Sequence, residues 1–199
     1  MRVGVFGGTF DPVHNGHLAA AAAAAQAAGL SEVIFVPVGD PGHRQPPIAS
    51  ASDRLAMLRL AVSSSADVGE SVTFAVSDID AERDGQTFSV NTLTDIHAAR
   101  PDDELFFILG ADAYARFDSW RNPQGIRDLA TLVVVERVLP AGVGDGAADS
   151  HDAVISASLH GYDISASDIR VKCAAGESIA HLVPSEVAEY IAQHGVYAS

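Results

Sequence analysis

The chain has 199 residues, 48% of them hydrophobic and 19% charged, with a formal net charge of −14. That length carries one substantial α/β core and excludes two comfortable domains, and no apolar run reaches the roughly eighteen residues a membrane span needs. So negative a charge repels DNA, RNA and anionic membranes at long range, and a single cysteine, Cys173, excludes an internal disulfide. With no export signal read at the start, the cytoplasm is the expected compartment. Substrates that are themselves phosphates would need the few cations, Lys172 and the arginines, concentrated in one site.

Val3 to Phe6 reads as a buried strand, and His17 to Ala28 is nearly pure helix former stopped by Gly29. Glu32 to Pro37 is a second strand, and Val38 to Ser50, rich in Gly and Pro, is a loop. Ser52 is placed to cap a helix over Arg54 to Ser63, whose Leu55, Met57, Leu58, Leu60, Ala61 and Val62 make a wide buried face. Val72 to Ile79 is a third strand, Ala81 to Gln86 a polar turn, and Ser89 to Ala99 a helix ended by Pro101. A strand over Glu104 to Leu109, a turn and short helix over Gly110 to Arg116, a helix over Asn122 to Leu129 entered through Pro123, and a strand over Thr131 to Glu136 follow. Residues 138–152 read as a mobile excursion, Ala153 to Ser158 as a last strand, and Ser165 to Ala174 and Pro184 to Gln193 as closing helices. Strands alternating with helices predict a doubly wound parallel sheet with right-handed crossovers, in one domain over 1–199 whose 160–199 part is helical.

Gly7-Gly8-Thr9-Phe10-Asp11-Pro12-Val13-His14-Asn15-Gly16-His17 lies between the first strand and the first helix. The first-turn amides of that helix lack partners within it and its dipole favours negative charge, so the junction is suited to phosphate, with glycine letting the backbone come close. His-x-x-His also suits metal, but zinc wants a third ligand and Cys173 is remote, which leaves zinc the minor alternative. Near the other end, Ile164-Ser165-Ala166-Ser167-Asp168-Ile169-Arg170 offers helix-capping hydroxyls and an arginine in the opening turn: an ordinary cap by itself, and the second half of a polyphosphate clamp if the two ends meet.

These two segments resemble the paired signatures of the nucleotidyltransferase superfamily. Pro41-Gly42-His43-Arg44, Thr87 to Leu93, Leu109-Gly110-Ala111-Asp112, Ser119-Trp120, and the ending from Leu182-Val183-Pro184 to Gly195-Val196-Tyr197 are similar to bacterial nicotinate-nucleotide adenylyltransferases over nearly the whole chain. The resemblance implies a Rossmann-like nucleotidyltransferase fold and transfer of AMP from ATP to nicotinate mononucleotide, giving deamido-NAD and pyrophosphate. It implies catalytic roles for His14, His17 and Arg170, and ATP contacts from Gly7, Gly8, Thr9, Phe10, His14, Gly16, His17, Gly110, Asp112, Ile164, Ser165, Ser167 and Arg170. Acceptor contacts are implied for Thr9, His43, Arg44, Thr87, Phe88, Ser89, Trp120 and Arg137. Trp120 is a core anchor or a ring-stacking platform, with the resemblance favouring the latter, and Asp112 a helix cap or an ATP contact.

The chemistry suits these residues. A nucleotide phosphate is already an anionic nucleophile, so attack on the α-phosphorus asks for positioning and charge stabilisation, with Mg²⁺ expected on the phosphate oxygens. The chain departs from the family at three places: Val138-Leu139-Pro140 follows Arg137 where Pro-Gly is usual, Asn91 stands where Asp is frequent, and Arg121 follows Trp120 where some members carry a second aromatic residue. Competing readings are another acceptor, namely nicotinamide mononucleotide or phosphopantetheine, and a nucleotide-binding regulator without turnover. Chain length and Trp120 disfavour phosphopantetheine, and intact His14, His17, Ser167 and Arg170 disfavour the regulator. A homo-oligomer is compatible with the sequence, which does not set the oligomeric state.

Overall fold

Strands and helices alternate through the computed structural model, which describes residues 1–39, 46–64, 72–138 and 154–198, leaving aside the side chains of Arg137 and Val138. Strands β1 (Arg2–Gly8), β2 (Glu32–Pro37), β3 (Thr73–Val76), β4 (Glu104–Gly110), β5 (Ala130–Val138) and β6 (Val154–His160) form one sheet in the order β3-β2-β1-β4-β5-β6, each neighbouring pair parallel. The helices are α1 (Asn15–Ala28), α2 (Ala51–Ser64), α3 (Ser89–Ala99), α4 (Ala111–Tyr114), α5 (Pro123–Leu129), α6 (Ala166–Ala174) and α7 (Ser185–His194), with a 3₁₀ turn at Phe117–Ser119. This is the doubly wound parallel α/β class that the alternation predicts.

Both faces of the sheet are buried, as the near-continuous apolar strands require. Val3 and Val5 of β1, Ile34 and Val36 of β2, and Leu105, Phe107 and Leu109 of β4 pack with Leu93 and Ile96 of α3 and Ile126 of α5. Phe6, Phe35, Phe106 and Ile108 point the other way, against α1, α2, α6 and α7. The alanine tract is packing material here: Ala20, Ala21, Ala24, Ala25 and Ala28 are all buried, and their small side chains let α1 lie close across β5 and β6.

Winding proceeds outward from β1 to β3 in one direction and from β4 to β6 in the other, so β1 and β4 are adjacent with crossovers leaving to opposite sides. The carboxyl ends of these two strands border the crevice where open α/β sheets bind ligands. Gly7 and Gly8 end β1 there, and Gly110 ends β4.

Several boundaries differ from the sequence expectation. Ser50, not Ser52, caps α2, its Oγ accepting the Asp53 N–H at 3.1 Å, so the helix starts earlier, at Ala51. β3 stops at Val76 because the chain then turns to bring the Asp80 carbonyl under Gly39, where any Cβ would lie 2.2 Å from that oxygen. β6 continues to His160 because its end still pairs with Arg137 and Val138 of β5. Beyond Val138, the excursion expected over 138–152 lies outside the described residues.

Candidate active site

The loop from Thr9 to His14 is held from three sides. Phe10 adopts φ 49°, a left-handed conformation unusual for a bulky residue, and its ring is buried against Phe6, Phe35 and His17 at centroid distances of 5.7, 5.8 and 5.0 Å. Gly8 makes room for that ring: a Cβ there would meet Phe10 at 2.8 Å. Beneath the loop, the Arg54 guanidinium is buried and donates through Nη1 to the carbonyls of Thr9 at 2.9 Å and Val38 at 2.8 Å. Burial holds the Arg54 pKa below its ordinary value, with the charge of Asp11 opposing that shift.

Asp11 supplies the third restraint. Its buried carboxylate accepts the N–H groups of Ile48 at 2.8 Å and Ala49 at 3.0 Å and the Tyr197 hydroxyl at 2.7 Å. Burial first, then the hydrogen bond to Asp11, pushes the Tyr197 phenol far above its ordinary pKa, so it remains a donor. The Asp11 carbonyl accepts Arg170 Nη1 at 2.6 Å, while Arg170 Nη2 donates to Ser167 Oγ at 3.1 Å. The glycine-histidine loop and α6 are thereby in contact across 159 residues of sequence.

At the start of α1 the rings of His14 and His17 stack at 3.7 Å. The His14 N–H donates to His17 Nδ1 at 3.3 Å, which places the proton of a neutral His17 imidazole on Nε2, as a donor. His17 is half-buried and, with Thr9, Phe10, Asp11 and Arg170, lines a cleft of about 340 Å³; His14 is buried behind it. Gly16 makes room for the His14 ring, which a Cβ there would meet at 3.0 Å, while Ile164 lies beyond at an ordinary contact distance of 3.8 Å. Ser165 is committed as the cap of α6, accepting the Asp168 N–H at 3.1 Å and donating to the Asp168 carboxylate at 2.7 Å. Ala166 and Arg170 are the α6 residues that line the cleft.

A second, larger cleft of about 610 Å³ opens over the ends of β1 and β4. Gly7, Gly8 and Gly110, expected as ATP contacts, line this one, together with Thr87, Phe88, Ser89 and Trp120. Trp120 is half-buried with its ring packed near Phe107 and Phe117 at 6.1 and 5.5 Å, so it is both anchored in the core and present in the cleft wall. Asp112 lines neither cleft; it is exposed in the first turn of α4, and the cap position there belongs to Gly110. His43 and Arg44 lie outside the described residues, and of Arg137 only the backbone, in β5, is described.

Four residues escaped the sequence reading. Asp11 sits inside the motif, where the sequence gives it no role; the sequence places Arg54 at the opening of an amphipathic helix and Tyr197 in the family-like ending. An arginine followed so closely by Leu55, Met57 and Leu58 was the available signal for burial. Asp80, the fourth, is a buried carboxylate in the larger cleft that accepts Thr92 Oγ1 at 2.6 Å and Arg83 Nε at 3.3 Å. Burial raises its pKa, and the bond from Thr92 and the charge of Arg83 counter only part of that. Among the described residues no group of three His, Cys, Asp or Glu side chains could hold a metal ion, and no helix is long and apolar enough to cross a membrane.

Comparison with known proteins agrees with this fold. Residues 5–172 match the cytidylyltransferase-like family model. A Frankia casuarinae protein named "Probable nicotinate-nucleotide adenylyltransferase" is 42% identical over 96% of this chain and 97% of its own length. A Neisseria meningitidis protein of the same name is 35% identical over 98% of both chains. The solved structure of Plasmodium falciparum nicotinic acid mononucleotide adenylyltransferase complexed with NaAD superposes with a TM-score of 0.76 over 98% of this chain and 97% of that one, at 14% identity, which shows a shared fold. With full-length matches at these identities and the same sheet beneath them, the chain belongs to the nicotinate-nucleotide adenylyltransferase family, a branch of the cytidylyltransferase-like enzymes.

Proposed function

We propose that this enzyme transfers the adenylyl group of ATP to nicotinate mononucleotide, a step of NAD biosynthesis. A phosphate oxygen of the mononucleotide attacks the α-phosphorus, the bond to the β-phosphate oxygen breaks, and deamido-NAD and pyrophosphate leave. The observation that carries this reading is the arrangement of the clefts: Thr9 alone among the described residues lines both, so two ligands bound one per cleft would meet beside the glycines that end β1.

The triphosphate is assigned to the smaller cleft, with Arg170 and Ser167 on the departing β- and γ-phosphates and His17 Nε2–H toward the α-phosphate. A donor aimed at developing charge contributes about 2.7–4 kcal/mol to the transition state. His14 supports this by stacking behind His17 and by bonding its Nδ1 through the backbone. The acceptor is assigned to the larger cleft, its ring against Trp120 and its carboxylate toward the backbone at Phe88 and Ser89, with His43, Arg44 and Arg137 assigned to its phosphate end. The Gly110–Asp112 turn, whose Gly110 lines the larger cleft, is assigned to the nucleoside of ATP, which would reach across the strand ends from the triphosphate in the smaller cleft. Mg²⁺ fits as an ion carried mainly by phosphate oxygens and water, because the Asp11 carboxylate is already engaged by three donors. When bound, it would neutralise charge on those oxygens.

Residues 1–199 are assigned to one domain, since Ile169 of α6 and Val187 and Ile191 of α7 join the same core as Phe6 of β1. Incubation with ATP, Mg²⁺ and nicotinate mononucleotide should release pyrophosphate. Release with phosphopantetheine but not with the pyridine nucleotide would overturn the acceptor assignment, and binding of ATP with no release for any acceptor would favour a regulator.

A further inference from the structure

The larger cleft holds two cations with no ion-pair partner among the described residues. Among the described residues every other lysine or arginine side chain is ion-paired or, in Arg54, bonded to two carbonyls. Arg116 and Arg121 have neither kind of partner, although the chain carries a net charge of −14 and acidic side chains are abundant. Both lie in the cleft wall, on either side of the 3₁₀ turn that leads to Trp120. The Arg121 guanidinium rests over the Phe88 ring, 4.6 Å from its centroid. That contact parks the charge without consuming its donors, since the ring face offers attraction but no lone pair. Phe88 and Ser89, at the start of α3, line the same wall. Asp80, the one carboxylate among the described residues that line this cleft, is already occupied by Thr92 and Arg83.

We infer that Arg121 is the residue of this chain that selects an acidic over an amide pyridine nucleotide, its guanidinium pairing with the ring carboxylate beside Phe88. The inference rests on the adenylyl-transfer reading and specifies the acceptor within it. A neutral carboxamide would leave the Arg121 charge as unmatched as it is in the free enzyme. A carboxylate would take two of its parallel N–H donors, a geometry that lysine cannot copy. Arg116 carries the same charge elsewhere on the cleft wall and would attract either mononucleotide through the phosphate that both possess.

The test is kcat/KM for nicotinate and nicotinamide mononucleotides in wild type, Arg121→Ala, Arg121→Lys and Arg116→Ala. Arg121 is exposed, so its replacement should leave the fold intact, with thermal unfolding as the check. In Arg121→Ala the acid-to-amide ratio should fall about 10–100-fold, chiefly through KM for the acid, as expected for loss of a charge-assisted hydrogen bond. Arg121→Lys should retain an intermediate ratio, and Arg116→Ala should leave the ratio unchanged while weakening both acceptors. An active Arg121→Ala enzyme with the wild-type ratio would overturn the role of Arg121 alone. A wild type inactive on both mononucleotides would overturn the adenylyl-transfer reading together with it.

Discussion

The two clefts are built on opposite principles. Around the smaller one nearly every polar group is tied to the protein: Asp11 to two amides and Tyr197, Arg170 to Asp11 and Ser167, Ser165 to Asp168, His17 to the backbone of His14. The larger one keeps two arginines without oxygen partners and a wall of Phe88 and Trp120. A preorganised network suits a step in which charge develops at a fixed place, because donors already aimed need no reorganisation. Unmatched charge suits recognition, because the ligand supplies what is missing. On the proposed assignment, reaction type is written into the rigid side and acceptor choice into the open side.

Four predictions break or sharpen that contrast. Asp11→Ala should cost about 3–5 kcal/mol in urea unfolding, since it strands two amides and a buried phenol and leaves the charge of Arg54 without its nearest counter-ion. A loss below about 1 kcal/mol would show that the smaller cleft is not held in this way. His17→Ala should lower kcat about 10²–10³-fold with ATP affinity little changed, because its bond to the α-phosphate is proposed to strengthen in the transition state. Equal kcat with weakened ATP binding would reassign it to ground-state binding.

Arg170→Ala should weaken ATP binding about 10–100-fold by titration calorimetry, and unchanged affinity would remove it from the clamp. The smallest effect concerns Asp80 and reports on the open side. Burial raises its pKa, so the folded chain binds this proton more tightly than the unfolded chain does. The resulting stability is complete below the ordinary value of 3.8 and is lost as pH rises through the raised one. Asp80→Asn should flatten that decline in urea unfolding followed from pH 3 upward. An undiminished slope would mean that other groups cause it.

Much of the scaffold was legible in the chain. Alternating apolar strands and helix formers implied the parallel sheet, and Gly29, with φ 60°, ended α1 where glycine was expected. Boundaries slipped where a competing local signal existed, as with Ser50 and Ser52, or where pairing with a distant strand set the length, as in β6. The site was legible as motifs but not as geometry. The sequence groups Gly7, Gly8 and Gly110 with His17 and Arg170 as ATP contacts, and the structure places these glycines in the larger cleft and His17 and Arg170 in the smaller. Asp112 had a plausible spacing and lines neither cleft.

By itself the sequence determined the class of fold and the class of chemistry. Helix caps, strand periodicity and a glycine-histidine loop depend on neighbours a few residues apart, and such relations survive in one dimension. Tertiary structure alone decided that Asp11 would join residues 37 to 186 positions away, that Arg54 would lie under the loop, and that Arg116 and Arg121 would line a cleft with no ion-pair partner among the described residues. Those outcomes follow from how the two windings of the sheet bring distant segments to one crevice, and no local spacing encodes that.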